Sequence, residues 1–280
     1  KNWKWEMNFN IAKNSNKLVE LADGVDSYSI YWTSFTTRLY NYAMVGKSLG
    51  VITGNTWERD DNGNIIFHEL SASQKALYGG EYVPTYNQNT LDELGNFHPD
   101  FTGGFNTSIS FKNFRLSANI DFSVGGQIVS YTNMWGSSSG ILDKTAELND
   151  RGVNVREPVS KGGGIHMTGV DQDGNKVDTY VNAKLYYTTA SRVWEEWVYD
   201  RTYVKLREVS LSYVFPSQTL KKLNIGLSRA SVAINASNPW LIYSACPNVD
   251  VSEIGMGYFE GGNAAATRSI GLPLILLFKP

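Results

Sequence analysis

Apolar and polar side chains alternate with a period of two in several separate stretches of this chain. Trp3, Trp5, Met7, Phe9 and Ile11 fall on one side of an extended segment, and Lys4, Glu6, Asn8 and Asn10 on the other. Unbroken alternation of this length exceeds the roughly 5–6 residues of an ordinary strand. It approaches the roughly 9–11 that cross a bilayer at a tilt. Asn14-Ser15-Asn16 then supplies a turn. Further on, Phe105, Ile109 and Phe111 alternate with Asn106, Ser108 and Ser110. After a tight turn at Lys112-Asn113, Leu116, Ala118, Ile120, Phe122 and Val124 alternate with Arg115, Ser117, Asn119, Asp121 and Ser123. This is a hairpin pattern. Val209, Leu211, Tyr213 and Phe215 form another apolar face opposite Glu208, Ser210 and Ser212, and Ala230, Val232, Ile234 and Ala236 one more, opposite Ser231, Asn235 and Ser237. The last face is Ile270, Leu272, Leu274, Leu276 and Phe278.

The spacing of these segments carries a topology. The turn at 112–113 is tiny and the link 216–225 short, whereas the links 129–197 and 239–267 are long. Alternating short and long connections put every long one at the same end. Transmembrane barrels are built this way, and a compact soluble domain seldom carries a connection of about 70 residues. Ser, Asn and Thr dominate the polar faces, as a wet barrel interior requires. A greasy strand at 270–278 suits a barrel, whose last strand must leave no unpaired edge in lipid; taken alone, it also suits the final core strand of a soluble sandwich. The pattern as a whole predicts an all-β fold, part of a large antiparallel transmembrane β-barrel, with eight or nine strands in this chain. Pro273 removes one ladder donor and predicts an irregularity in the last strand.

Composition narrows the function classes. Among 280 residues, 42% are hydrophobic, 19% charged, and the net charge is −2, without the basic excess of a nucleic-acid binder. No run reaches the roughly 18 apolar residues of a transmembrane helix. A single cysteine, Cys246, and three scattered histidines (His68, His98, His166) give no disulfide framework or metal-ligand spacing, and no cofactor is expected. The excess is aromatic, with 8 Trp, 16 Tyr and 12 Phe, which suits girdles at lipid–water interfaces and equally suits sugar-binding surfaces. The chain opens inside a strand pattern with no apolar signal region, and is expected to be part of a longer polypeptide.

Several segments, in order, resemble one family. They include Asn8-Phe9-Asn10-Ile11-Ala12-Lys13-Asn14-Ser15-Asn16-Lys17, Val45-Gly46-Lys47-Ser48-Leu49-Gly50, Arg59-Asp60-Asp61-Asn62-Gly63-Asn64-Ile65-Ile66, and Gly95 to Phe105. Phe111 to Ala118, Tyr203 to Tyr213 with Phe215-Pro216, Asn235-Ala236-Ser237-Asn238-Pro239-Trp240 and Arg268 to Phe278 complete the set. Together they resemble the C-terminal barrel portion of SusC/RagA-like TonB-dependent outer-membrane transporters. The resemblance implies a barrel of 22 strands with an N-terminal plug, in the outer membrane of a Gram-negative bacterium. It implies import of a bulky nutrient, an oligosaccharide or peptide, energised through TonB under a SusD-like surface lipoprotein. Residues 1–280 would be the C-terminal part of that barrel, lacking plug, TonB-contacting segment and early strands. The end of the chain is similar to the signature read by the barrel-assembly machinery: a polar residue, Gly271 two positions on, then Leu274, Leu276 and Phe278. The alternative reading is a soluble secreted β-sandwich that binds carbohydrate.

Candidate chemistry is sparse, and no catalysis is expected. Asp60-Asp61-Asn62-Gly63-Asn64 and Asp171-Gln172-Asp173-Gly174-Asn175 look like calcium loops, but the EF-hand needs Gly at position 6 and Glu at 12. Counted from Asp171, Gly174 is at position 4 and Asn182 at 12. Asn-Gly and Asp-Gly are turn signals, and the second predicts a hairpin inside the long 129–197 region. Glu195-Glu196 invites a glycosidase reading, yet neighbours on a strand face opposite ways, and a solvated pair is expected. Gly162-Gly163-Gly164 lacks the Lys-Ser/Thr of a phosphate loop and reads as a flexible tip; His166, beside it, reads as solvated. Tyr131, Trp135, Trp194, Trp197 and Trp240 sit at expected strand–loop junctions. They are interface anchors, or else the substrate-contact candidates, because aromatic rings stack on sugars.

Overall fold

The computed structural model describes residues 3–33 (31–33 by backbone alone), 38–89, 91–223, 225–254, 258–262 and 266–278. The alternating segments form one antiparallel up-and-down sheet, in chain and spatial order β1 (Trp3–Ala12), β2 (Phe101–Phe111), β3 (Phe114–Val124), β4 (Tyr203–Val214), β5 (Leu227–Ser244) and β6 (Ser269–Gly271, continued by Leu274–Phe278). Register brings like faces together. Trp3 lies opposite Phe111 and Phe9 opposite Phe105; Leu116 lies between Ile109 and Leu211, and Ile234 follows opposite Leu211. A slip of one residue would turn every apolar side chain to the polar side, so the pattern fixes the pairing.

All ten residues of β1 are exposed, Trp3, Phe9 and Ile11 by more than half. Among the described residues no second sheet covers this face. A sandwich buries the apolar faces of two sheets against each other, so the soluble alternative has no counterpart here. The chain is part of a large antiparallel transmembrane β-barrel whose apolar face meets lipid and whose Ser- and Asn-rich face lines the lumen. Six strands make up the wall described here, not eight or nine; the remaining strands lie outside it.

Besides register shifts at Val204/Lys205 and Leu227/Arg229, two irregularities bear on the pattern read from the sequence. At Pro273 the ladder is interrupted without slipping: Gly271 stays opposite Asn235 and Leu274 opposite Val232 in a single register, and Ala233 N–H donates to the Pro273 carbonyl at 3.0 Å. In an antiparallel pair, the N–H and C=O of one residue point to the same neighbour. The donor missing at Pro273 is therefore one that would have faced β5, and the outer edge of β6 keeps its own set. The second irregularity is a bulge in β4. Leu206 pairs with Ile120 but Glu208 with Asn119, so Arg207 is an extra residue that reverses the parity. Lys205, Arg207 and Glu208 can then all face the lumen, because a bulge re-aims a side chain.

The connections sort by end. β2 and β3 join through Lys112 and Asn113, with Lys112 in the left-handed region (φ 51°). β4 and β5 join through 215–226, which holds a short helix, Ser217–Leu223, in place of the simple turn expected. The other end receives 13–100, 125–202 and 245–268. β5 runs farther than its sequence pattern, to Ser244, before the last of these begins.

Ile120, opposite Phe105 and Leu206, should tolerate charge poorly: Ile120→Arg is expected to cost about 2–4 kcal/mol of folding stability if it lies near the midplane, as measured by denaturant unfolding of the full-length protein in vesicles. A nitroxide at 120 should be relaxed by a lipid-soluble agent and one at 119 by a water-soluble one; the reverse pattern would invert the wall.

Candidate functional site at the barrel mouth

The three long excursions fold together into one cap. Ser27–Thr33, Leu39–Met44, Val51–Gly54 and Asp92–Asn96 form a sheet within the first. Gln127–Ser130 of the second excursion pairs with Val198–Asp200 and, in parallel, with Phe259–Glu260 of the third. Ile165–Val170 and Lys176–Val181 make the hairpin expected around Asp173-Gly174. One apolar core runs through all three, from Leu39, Ile52 and Trp57 through Tyr131, Met134, Trp194 and Trp197 to Tyr258.

That core corrects the aromatic candidates. Trp194 and Trp197 are fully buried, at 0% and 1% exposure, in a one-turn 3-10 helix, and the Trp197 indole N–H donates to Ala190 O at 2.7 Å. Neither ring has a face left for a ligand, because the surrounding excursions pack on both. Glu195 and Glu196 lie on the same turn and are not a solvated pair. Glu195 accepts from Trp57 N–H at 3.1 Å and grips the Arg59 guanidinium through both oxygens. Glu196 accepts from the Trp57 indole at 2.6 Å and from the Tyr186 hydroxyl at 3.3 Å. The two carboxylates staple the first excursion to the second, and burial with Glu196 nearby pushes the Tyr186 hydroxyl pKa upward. Trp57 was not singled out in the sequence, where nothing marks a lone Trp in a loop as a core residue.

The acidic turns are closed by their own chain. Asp60 accepts from the N–H groups of Asn62 (3.0 Å) and Asn64 (2.8 Å), and Asp171 from those of Asp173 (2.9 Å) and Asn175 (2.8 Å). Hydrogen bonds from Asn64 and Asn175 hold the two carboxyls below the usual range. Gly163 is no flexible tip: a Cβ there would stand 2.0 Å from Glu157 O. His166 lies in a strand with both ring nitrogens engaged, Nδ1 on Asp150 and Nε2 on Asp178, each at 2.8 Å, and its ring stacked on Tyr180.

Tyr131 is 5% exposed; Trp135 is 45% exposed. They line an apolar cleft of about 440 Å³ with Ile141, Leu142 and Phe259. Trp240 pairs with Leu206 of the outward face and is exposed there, as an interfacial anchor is. Of the five candidates, only Tyr131 and Trp135 share a site.

Inside the mouth, the re-aimed charges of β4 hold the third excursion. Lys205, almost fully buried, places Nζ 2.7 Å from both Asp250 and Glu253 and 3.0 Å from Ser252 Oγ. Arg207 bonds Asp121 on β3 at 2.9 Å and also reaches Glu253. Burial acts to raise Asp250, but Lys205 and Ser252 outweigh it and hold the carboxyl below its ordinary value. Lys205 lowers Glu253 directly, with Arg207 assisting against desolvation. Cys246, buried beneath this segment with Ile128 and Val251, is pushed up to about 12 by burial.

No family model matches the sequence. The chain is 27% identical over 276 residues to TonB-dependent receptor P3 of Formosa agariphila, covering 96% of this chain and 25% of that protein. It is 23% identical over 309 residues to TonB-dependent receptor P26 of the same organism, covering 99% and 27%. It superposes on the RagAB peptide transporter with a TM-score of 0.53 at 14% identity, over 92% of this chain and 25% of that one. The RagAB peptide importer in its closed-closed state gives 0.53 at 16% identity, over 87% and 24%. The fold of the wall is the one found in the barrel of the RagAB transporter.

The chain spans about a quarter of the length of the curated TonB-dependent receptors it matches. In this segment Leu274, Leu276 and Phe278 lie opposite Val232, Ala230 and Leu227, and Gly271 opposite Asn235. The first three belong to the outward row and Gly271 to the luminal one.

The ion cluster gives a pH prediction with a fixed sign. A carboxyl held low in the folded state stabilises above its unfolded pKa of about 4, and that contribution is lost as pH falls through the folded value. Amide protection factors over 249–254 in the full-length protein should fall between about pH 5 and pH 2, before those of the wall strands. Lys205→Met should lower them already at neutral pH, since removing one partner of a buried pair costs about 3–5 kcal/mol.

Proposed function

We propose that this segment is the C-terminal part of the barrel of an outer-membrane importer. Plug, TonB-contacting segment and earlier strands would belong to the rest of the full-length protein. Its cargo is a bulky nutrient, an oligosaccharide or peptide, taken up with energy delivered through TonB and under a SusD-like lipoprotein lid. One observation carries the reading: three excursions leave the wall at the same end and pack into a single cap that holds an apolar cleft. Long connections at one end are common to transmembrane barrels; what suits an importer is that here they pack around a cleft able to hold ligand before the plug moves. The TonB-dependent names of the relatives and the two-component RagAB neighbours support the energy source and the lid. The direct test is uptake of labelled oligosaccharides and peptides by cells carrying or lacking the gene. Uptake should vanish with the gene and with a protonophore, and Trp135→Ala should weaken it by raising the half-saturating concentration. Uptake indifferent to the protonophore would reject the TonB-driven reading.

The last strand is proposed as the assembly signal. It presents Gly271, Leu274, Leu276 and Phe278 at the wall edge, where unpaired backbone groups in lipid cost several kcal/mol each. Removing 270–280 from the full-length protein should abolish its appearance in the outer membrane, and Phe278→Ala should reduce it. Normal levels of a heat-resistant truncated protein would show that barrel closure and recognition lie elsewhere.

A further inference from the structure

The end of the wall opposite the cap has an unusual charge balance. Residues 110–116 and 213–229, which hold both short connections, contain Lys112, Arg115, Lys221, Lys222 and Arg229 and no Asp or Glu, in a chain of net charge −2. Arg115 and Arg229 have luminal parity, and Arg115 approaches Glu6 at 3.7 Å. The three lysines are exposed and make no ion pair among the described residues.

Their setting is apolar and faces outward. Leu220 of the Ser217–Leu223 helix is buried against Phe215, Leu227 and Ala230. Phe215 continues the outward row of β4, and Ala230 belongs to that of β5. The helix therefore lies on the outside of the wall, not across its opening. Leu223 (55% exposed) and Ile225 (58%) are left uncovered beside Lys221 and Lys222. Along the same rim, Trp3 packs on Phe111 at 4.3 Å and Phe114 on Tyr213 at 4.7 Å, and Lys112 Nζ stands 5.3 Å from the Phe111 ring centre. Lys112 and the helix are neighbours because β3 pairs with β4 and Asn113 Nδ2 donates to Val214 O at 2.6 Å. An aromatic belt marks the depth of the headgroups, and lysines just beyond it extend their stems along apolar surface and place the ammonium groups among phosphates.

We infer that Lys112, Lys221 and Lys222 form a collar that binds anionic phospholipid in the leaflet at the short-turn end, with Leu223 and Ile225 entering the acyl boundary. The charges recognise the headgroup phosphate, and the helix gives the lipid a fixed berth beside β4 and β5. The inference rests on the outward face meeting lipid, and the test separates the two. In full-length protein reconstituted into phosphatidylcholine vesicles, a bimane at Leu223→Cys should be quenched by brominated phosphatidylglycerol more efficiently than by brominated phosphatidylcholine. The ratio should be on the order of threefold at low salt and shrink at high salt. Lys112→Gln/Lys221→Gln/Lys222→Gln should bring it to one, and arginine at the same positions should restore it. Heat-modifiable migration would verify that each variant is folded. Equal quenching by the two lipids in the parent, or a ratio unchanged in the glutamine variant, would overturn the collar while leaving the wall in lipid. Quenching by iodide and by neither lipid would overturn both.

Discussion

The structure depends on one constraint: backbone N–H and C=O groups in lipid have no water to bond, so each must be paired within the wall. The wall meets it by hydrogen-bonding every strand to its chain neighbour, β1 through β6. Once pairing is obligatory, register follows, because only one register puts Trp3, Phe111, Leu116, Leu211 and Ile234 on the same side. The departures respect the same rule. Pro273 gives up a donor toward β5 while the strand keeps step on both sides. The bulge at Arg207 adds a residue to β4 without opening the sheet.

The bulge also links the wall to the mouth. Had β4 kept strict alternation through 203–214, Arg207 and Glu208 would lie on opposite faces, one of them in lipid at a substantial cost. With the extra residue both turn inward, and Lys205 and Arg207 meet Asp121, Asp250 and Glu253. Such a cluster offsets the desolvation of its charges only because each has a partner. Its placement fixes the 249–254 segment against the luminal face of β4.

The cap obeys ordinary water-soluble logic. Its large aromatics are inside, and its carboxylates at 195 and 196 act as staples between excursions distant in sequence. The same residue types therefore carry opposite meanings in the two halves of the molecule. Trp3 and Trp240 are exposed because lipid is their solvent, whereas Trp194 and Trp197 are buried because water is.

The sequence by itself determined the all-β wall, its two faces, the tight turn at Lys112-Asn113, the sorting of long and short connections, and the hairpin at Asp173-Gly174. Each of these is written in neighbours along the chain, as period, turn chemistry or spacing. It also limited the chemistry of the acidic turns, whose Asp-to-Asn bonds are local. What only the tertiary structure decided depends on partners from about 45 to about 140 positions away. Trp194 meets the first excursion, Glu195 meets Arg59, and Lys205 meets Asp250 across the mouth; no periodicity encodes such encounters. The strand count was overestimated: the alternating segments named in the sequence are the ones that pair in the wall, and among the described residues no further strand joins them. A bulge is likewise invisible beforehand, because one inserted residue changes the parity of everything beyond it and leaves the composition untouched.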